Sequence, residues 1–175
     1  MEIRVIRGIL PKLRMQIAVI VPSLRELAPV QVALAVAAHL ARSGHSVTVY
    51  SFKKGVGIPQ SETILFKKIN FFSRIPWNQY DIIHSHGFLP DTFIAIQKPG
   101  RCKAKTVSTI HNYVFTELKM LYNQATSQVI GWTWVRMWYK MDHMIVLTDD
   151  AIKYYHELLP GKPITRIYNG KNIVA

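Results

Sequence analysis

Apolar stretches of strand length alternate with stretches of helical periodicity along most of this chain, and this alternation limits the folds it can adopt. Strand patterns lie at 15–21, 46–52, 64–69, 81–86, 105–111, 142–147 and 164–168. Helical patterns lie at 29–42, 115–139 and 149–159, and we expect a break near Gly131 in the second. Strands that alternate with helices are typical of βαβ units. The sequence therefore predicts an α/β, Rossmann-like fold, with a parallel sheet of about seven strands flanked by helices.

Length and cysteine usage restrict the organisation further. The chain has 175 residues, which suffices for one domain with a full hydrophobic core but not for two ordinary ones. Cys102 is the only cysteine, which excludes an internal disulfide and a cysteine-based metal site and makes a reducing cytosol the simplest location. No apolar run approaches the roughly 20 residues of a membrane-spanning helix.

Residues 1–14 differ from the rest of the chain. Four basic residues are scattered through them, namely Arg4, Arg7, Lys12 and Arg14. A signal peptide would instead carry an uninterrupted apolar core. Because a regular strand pattern starts at Met15, residues 1–14 are either an extension upstream of the natural start or a basic arm that touches a membrane. We expect the domain to span 15–170 and residues 171–175 to begin an interdomain linker.

The charge balance favours a polyanionic neighbour. The chain has 22 basic and 10 acidic residues and a formal charge of +12, which suits nucleic acid, an anionic lipid surface or phosphorylated substrates. No zinc finger or aromatic RNA-binding motif is present, so we expect only weak, non-specific binding to nucleic acid.

Tryptophan and basic residues also cluster in two places, for which two interpretations stay open. Three tryptophans, Trp132, Trp134 and Trp138, lie near Arg136 and Lys140. They suit either a membrane interface or the core. A stretch without acids contains Lys98, Arg101, Lys103 and Lys105, which fit either a membrane contact or a solvated surface.

Ligands of parallel α/β sheets bind beyond the carboxyl ends of the strands. That rule directs attention to the loops 22–29, 84–90, 111–116 and 148–150. The first loop precedes a helix, whose N-terminus could hold phosphate, but it lacks the glycines of a dinucleotide site. An enzyme that uses NAD is therefore disfavoured, and an ordinary connection with Pro29 in the first helical turn is the alternative.

Histidines follow two of the predicted strands. Alternation puts His84 and His86 on the same side, where His86 either faces a ligand or forms part of a pair with one packed and one exposed ring. Gly87 would let a ligand approach the backbone. His111, after the next strand, would face the same crevice and hydrogen-bond a sugar hydroxyl or a phosphate, unless it is a buried core histidine. Two histidines without a third ligand make a weak metal site, so no metal is expected.

Polar residues near helix starts have simpler explanations. Asn112 fits a cap on the following helix, and Asp91, Asp149 and Asp150 match the positive end of a helix dipole. None of these acids forms a pair suited to acid–base catalysis.

Six stretches in the same order resemble one enzyme family. They are QIAVIVPS after Met15, ARSGHSVTVY after Leu40, DIIHSHGFLPD after Tyr80, VSTIHN after Thr106, DHMIVLTDDAI after Met141 and TRIYNG after Ile164. The chain resembles the N-terminal half of family 4 retaining glycosyltransferases, which pair two Rossmann-like domains in the GT-B architecture.

The resemblance implies the chemistry and the site. The family's first domain holds the acceptor and its second holds a nucleotide sugar, commonly linked to UDP or GDP, which serves as co-substrate without a cofactor or metal. His111 matches a histidine that lines the reaction cleft and is our candidate catalytic residue. Candidate substrate-binding residues are His86, Gly87, Asn112, Ser23, Ala28 and Thr148. Asn169 and Gly170 match the entry to the interdomain linker. Paired glycines of the family's first loop are replaced by Leu27-Ala28-Pro29, which puts phosphate contact there in doubt.

The resemblance also implies an incomplete enzyme. The five glutamates all precede the expected linker and none forms the family's paired-glutamate motif. We expect half of a hexosyltransferase, inactive alone, that acts on a glycan or lipid-linked acceptor in polysaccharide biosynthesis. The alternatives are one subunit of a split glycosyltransferase and a non-catalytic module that binds acceptor or membrane. Its expected partners are therefore substrates, a C-terminal domain or partner subunit, and an anionic membrane surface. The expected location is the cytoplasm, including the inner face of the membrane.

Overall fold

Seven parallel strands form one sheet in the order β3-β2-β1-β4-β5-β6-β7, in a computed structural model that describes residues 14–25, 27–53 and 63–169. The strands are β1 (Gln16–Ser23), β2 (Ser46–Lys53), β3 (Ile64–Lys68), β4 (Ile82–His86), β5 (Lys105–Ile110), β6 (His143–Val146) and β7 (Ile164–Arg166). The helices are α1 (Ala28–Arg42), α2 (Phe88–Gln97), α3 (Val114–Leu121), α4 (Gln124–Trp138) and α5 (Asp149–Leu158). A short 3-10 helix spans Trp77–Gln79. The predicted Rossmann-like fold is confirmed.

The strand order reverses beside β1. The chain runs outward from β1 to β3 and then returns to place β4 on the other side of β1. Ile17 of β1 pairs with Ile82 of β4, and Ile82 pairs in turn with Lys105 of β5. In open α/β sheets, the crevice at such a reversal is where ligands bind. The topology therefore directs attention to the carboxyl ends of β1, β4 and β5.

Two hydrophobic cores lie on the two faces of the sheet. Ile17, Val19 and Val21 belong to a core that includes Ala33 and Ala37 of α1. The alternate residues of β1, Ala18 and Ile20, belong to the larger core, which contains apolar residues of α2, α3, α4 and α5. Because helices cover β1 on both faces, its sequence is apolar nearly throughout.

The helical stretch predicted at 115–139 breaks in a different place from the one expected near Gly131. The structure ends α3 at Leu121, and the side chain of Asn123 accepts from the backbone N–H of Thr126 to cap α4. Gly131 lies within α4, where an added Cβ would come within 2.4 Å of the ring of Phe115 on α3. The glycine therefore permits close packing of the two helices rather than a break.

The strand boundaries differ from the predictions by one or two residues at either end: β3 to β7 are shorter than expected, and β1 and β2 extend further at their carboxyl ends. Helix α2 was not among the predicted helical patterns. No helix in the described ranges has the length and apolar character needed to cross a bilayer. Residues 1–13 of the predicted basic extension, Gly170 and the predicted linker 171–175 lie outside the described residues.

Candidate functional site

The carboxyl ends of β4 and β5 bring polar side chains to both faces of the sheet. In the parallel register, Ser85 lies opposite Ser108 and His86 lies opposite Thr109. Since side chains alternate along a strand, His84 and His86 share one face and Ser85 points to the other. Two separate polar clusters result, one on each face of the sheet.

The first group, which we call the histidine cluster, comprises His84, His86, Thr109 and His111. Nε2 of His84 is 2.7 Å from Oγ1 of Thr109, and Nδ1 of His86 is 3.1 Å from Nε2 of His111. The rings of His84 and His86 are 4.3 Å apart, and those of His86 and His111 are 5.4 Å apart. His86 and His111 are therefore in contact, as the strand-end argument expects. That they border one ligand crevice stays a prediction, because the two rings line different cavities.

Both strand-borne histidines are buried. The alternative of one packed and one exposed ring is wrong, because His84 is 8% exposed and His86 is 1% exposed. Strand β4 lies in the middle of the sheet, and α1 shields its end on this face. His111 follows the last residue of β5 and is only partly buried, so it is the member of the cluster that meets solvent.

Burial keeps the three rings uncharged. It lowers the pKa of His84 to about 4, with a smaller effect from nearby His111. It also lowers the pKa of His86 well below its ordinary value, and the neighbouring His84 and His111 add to that shift. The pKa of His111 is lowered by burial as well. At neutral pH the cluster therefore offers hydrogen bonds from neutral imidazoles rather than positive charge.

Two cavities meet at this cluster. One, of about 100 Å³, lies at the strand tips and is lined by Pro29, Gly87, Thr109, His111 and Asn112 together with residues of α3 and α4. The other, of about 320 Å³, lies between α1 and the sheet and is bordered by His84, His86 and Thr109. Thr109 borders both cavities, so the histidine cluster forms the wall between them.

Gly87 fits its position for a backbone reason. Its φ is +96°, a conformation that favours glycine, and it precedes the first residue of α2 as the N-cap. An added Cβ at Gly87 would meet no atom within 4 Å, so conformation and not crowding selects glycine.

The second group, the aspartate cluster, occupies the opposite face. Ser85 and Ser108 donate to Oδ1 of Asp91 at 2.5 and 2.8 Å, and the indole N–H groups of Trp134 and Trp138 donate to Oδ2 at 2.7 and 2.9 Å. Burial raises the pKa of the Asp91 carboxyl, and these four hydrogen bonds oppose the rise. Because an indole N–H can only donate, Oδ2 serves as an unprotonated acceptor.

Asp91 lies in the first turn of α2, as the dipole explanation requires, but this cluster gives it a further role. The side chain is 1% exposed and binds β4, β5 and α4 together. The sequence carried two signals of this role: Asp91 stands among apolar residues that pack on the sheet, and Trp134 and Trp138 are one helical turn apart on α4.

The structure shows the surroundings of four of the residues for which two interpretations were left open. Trp138 is fully buried and Trp134 partly so, and both are committed to Asp91. Trp132 is exposed and contacts Phe115. Lys98 forms an ion pair with Asp142 at 2.9 Å, so it belongs to the structure of the domain rather than to a free basic surface.

The other predicted binding residues lie at the same end of the sheet but have varied surroundings. Asn112 lines the smaller cavity; it does not cap α3, whose N-cap is Tyr113, and its backbone carbonyl accepts from Tyr155. Thr148 caps α5 by accepting from the backbone N–H of Ala151. Ser23 ends β1 and is buried, and Ala28 begins α1 and is exposed.

Asn169, predicted at the linker entry, lies near the end of the described residues. It borders the larger cavity together with Tyr168 and Ile167. Across residues 14–25, 27–53 and 63–169, no group of three or more histidine, cysteine or acidic side chains is placed to hold a metal ion.

Comparison with known proteins gives a family and related sequences. The model of Glycosyltransferase Family 4 matches residues 30–173. Two O-antigen biosynthesis glycosyltransferases of Escherichia coli, both named WclY, are each 31% identical to this chain over 166 residues. The match covers 89% of this chain and 45% of each relative, so the chain spans less than half the length of the curated relatives it matches.

Solved structures share the fold. An α-glucosyltransferase in complex with UDP and a 13-mer DNA containing a HMU base has a TM-score of 0.58 at 13% identity, over 91% of this chain and 43% of that chain. An α-glucosyltransferase (AGT) in complex with UDP has a TM-score of 0.57 at 13% identity, over 90% of this chain and 45% of that chain. At such low identity the likeness establishes the fold alone, a Rossmann-like sheet similar to one half of a GT-B glycosyltransferase.

Proposed function

This chain belongs to glycosyltransferase family 4, and we propose that it is the acceptor-side domain of an enzyme that transfers a sugar from a nucleotide sugar to a glycan or lipid-linked acceptor. The observation that carries the proposal is the contact between His86 and His111 at the carboxyl ends of β4 and β5. These rings lie beside the reversal of strand order, where ligands of open α/β sheets bind.

The proposed reaction is a single group transfer. The bond between the anomeric carbon and the diphosphate oxygen of the donor breaks, and a bond from that carbon to an acceptor hydroxyl oxygen forms. The hydroxyl proton leaves with the departing nucleoside diphosphate, and the configuration at the anomeric carbon is retained. No metal or cofactor takes part.

In this proposal His111 orients the reacting groups. It lines the smaller cavity beside Gly87 and Asn112, where a neutral imidazole can hydrogen-bond a sugar hydroxyl or a phosphate oxygen. Asp91 has a different role although it lies close to His86 in sequence, because four donors already occupy its carboxylate. Catalysis would then depend on positioning donor and acceptor together, which can contribute about 7–11 kcal/mol to lowering a barrier.

The proposed donor site lies in a second domain, joined after Asn169 and Gly170 or supplied by a partner subunit. A chain that holds only the acceptor cannot fix the distance between the two substrates, so we expect no transfer by this domain alone. The relatives are named as O-antigen biosynthesis glycosyltransferases, which supports a role in polysaccharide assembly. The location that we propose is the cytoplasm or the inner face of the membrane.

Reconstitution tests this function. This chain would be incubated with labelled UDP- and GDP-sugars and a lipid extract, with and without a family 4 donor-binding domain. We expect label in the lipid fraction only when both domains are present. Transfer by the chain alone at the same rate as in the combined sample would contradict the proposal that a second domain is required. No incorporation from any donor in the combined sample would contradict the proposed activity.

A second candidate function, attachment to an anionic membrane, has its own observation. At the end of α3, Met120 is 80% exposed, Leu121 66% and Tyr122 48%. Lys119 precedes them and is exposed, and the whole chain carries a formal charge of +12. Apolar and aromatic side chains beside positive charge are suited to the headgroup region of a bilayer. Such attachment would bring a lipid-linked acceptor to the strand tips.

Vesicle flotation tests the membrane contact. The chain should float with vesicles that contain phosphatidylglycerol, and less so at high salt because ions screen the attraction. The double variant Met120→Ser, Leu121→Ser should lose most of this attachment. Ile96→Ser is the matched control, since Ile96 is also exposed but lies on α2. Equal flotation of all three proteins, or none with the parent, would remove this surface from consideration.

A further inference from the structure

The hydrogen bond between His86 and His111 leaves a choice about where its hydrogen lies. Nδ1 of His86 and Nε2 of His111 are 3.1 Å apart, and both rings are neutral at pH 7. In a neutral imidazole one nitrogen donates and the other accepts. The position of this hydrogen therefore also determines the state of the two outer nitrogens, Nε2 of His86 and Nδ1 of His111.

The surroundings of Nε2 of His86 decide between the two arrangements. It is the one buried side-chain nitrogen or oxygen without a hydrogen-bond partner among the residues that the structure describes. If it carried a hydrogen, a buried N–H would lack an acceptor; otherwise it presents only a lone pair. Among buried backbone groups an N–H without a partner is rarer than an under-used acceptor, and the same preference applies here. This places the hydrogen of His86 on Nδ1.

Neighbouring side chains hold His86 in this orientation. Its ring lies 4.3 Å from that of His84, which is itself fixed by a 2.7 Å hydrogen bond to Thr109. Thr109 is also the register partner of His86 across β4 and β5. Because the ring is buried between these groups, its Nδ1 stays directed at His111.

We propose that His86 is a positioning residue that donates from Nδ1 to Nε2 of His111 and so holds the hydrogen of His111 on Nδ1. His111 then offers an N–H donor to the smaller cavity that it lines. Such a donor recognises an oxygen that accepts a hydrogen bond, in a phosphate or a sugar. It cannot remove a proton from an acceptor hydroxyl, so His111 orients its ligand and is not a general base. The meaning of this donor for sugar transfer rests on the proposed function; the arrangement of hydrogens does not.

Long-range proton–nitrogen NMR of the ring nitrogens tests the arrangement directly. The two nitrogens of a neutral imidazole have distinct shifts according to which one is protonated. In the parent chain at pH 7.5 (about one unit above the ordinary histidine pKa), we expect His111 to be mainly the Nδ1–H form. Free neutral histidine prefers the Nε2–H form, so the expected result differs from that of an unconstrained ring.

Variants of His86 show whether it is the cause. His86→Leu removes the donor, and His111 should change to mainly the Nε2–H form. His86→Asn places an amide N–H near the former position of Nδ1 and should restore the Nδ1–H form. His143→Gln is the matched control, since His143 bonds Thr165 on the far side of the sheet's centre, and it should leave His111 unchanged.

Two results would overturn the proposal. One is a parent chain in which His111 is mainly the Nε2–H form, and this needs no variant to fold. The other is the same form of His111 in the parent and in a folded His86→Leu variant. Neither measurement involves sugar transfer, so the hydrogen arrangement stands or fails separately from the proposed activity.

Discussion

The same two strands carry two polar clusters that differ in how completely their groups are paired. On one face of β4 and β5, the carboxylate of Asp91 accepts two hydrogen bonds on each oxygen. On the other face, Nε2 of buried His86 has no partner in the described part of the chain, and His111 lines a cavity. Fully paired groups join elements of the fold, whereas groups left with hydrogen-bonding capacity beside a cavity are available to a ligand.

The sharpest test of this contrast is removal of the Asp91 carboxylate. Asp91→Ala would leave two indole N–H groups and two hydroxyls without their acceptor in a buried site. At about 1–3 kcal/mol for each unsatisfied group, before relaxation, we expect a loss of at least about 3 kcal/mol in the free energy of unfolding. Urea denaturation measures it. The exposed Asp150→Asn on α5 serves as the control and should lose less than about 1 kcal/mol. Similar losses in both variants would remove the architectural role of Asp91.

Acid should weaken the histidine side of the comparison. The pKa of His84 falls from 6.5 to about 4 on folding, chiefly because of burial, so the unfolded chain binds more protons between those values. The contribution of the neutral ring to the free energy of unfolding is fully present above pH 6.5. It is lost as the pH falls toward 4, by about 1.4 kcal/mol per pH unit for each such histidine.

Urea denaturation at pH 7, 6 and 5 measures this slope. His84→Gln should reduce the slope by the share of one histidine, because His86 and His111 still contribute, whereas the exposed His156→Gln should leave it unchanged. If the parent's stability stayed constant over this range, the histidine cluster would not be buried and neutral as described.

A substitution at Gly131 tests the effect of packing alone, because it changes no hydrogen bond of the aspartate cluster. Gly131→Ala would place a Cβ about 2.4 Å from the ring of Phe115 while leaving the hydrogen bonds of Trp134 intact. Overpacking of this kind costs about 1–3 kcal/mol, so the loss should be smaller than that of Asp91→Ala. Thr133→Ala, at an exposed position of the same helix, should change stability by less than about 0.5 kcal/mol. Thermal unfolding of the three variants measures this order, in which Asp91→Ala loses most stability and Thr133→Ala least.

The smallest effect concerns Thr148, a predicted substrate contact that caps α5. Thr148→Ala should lose about 1 kcal/mol of stability because the N–H of Ala151 loses its acceptor, and Thr148→Ser should retain most of it. In the complete enzyme the Michaelis constant should be the same for both variants. A changed Michaelis constant with unchanged stability would show that Thr148 binds substrate and does not stabilise α5.

These two clusters also differ in how far the sequence predicts them. The contact of His86 with His111 follows from strand alternation and from the convergence of parallel strand ends, both of which are visible in local patterns. The aspartate cluster depends on Trp134 and Trp138, which lie 43 and 47 residues beyond Asp91. No local pattern specifies which face of a helix so distant in sequence packs above a given strand.

The break between α3 and α4 shows the same limit on a smaller scale. Glycine weakens helices in general, which pointed to Gly131. The break lies where the side chain of Asn123 caps α4. A glycine is required at position 131 because Phe115 of the neighbouring helix leaves no room for a Cβ. A local cap therefore marks the position of the break, whereas tertiary packing explains why a glycine lies inside α4.

The most direct test of the contrast is the initial rate of sugar transfer by two variants of the complete enzyme, compared at equal concentrations of folded protein. His111→Ala removes the ring that lines the cavity, and Ser108→Ala removes one donor from Asp91 on the opposite face. We expect His111→Ala to remain folded and to lose about 100-fold or more in rate, as when a transition-state hydrogen bond is removed. We expect Ser108→Ala to lose stability but to transfer sugar at nearly the parent rate. An active His111→Ala, or a loss of rate in both variants that follows their loss of stability, would contradict the division between the two clusters.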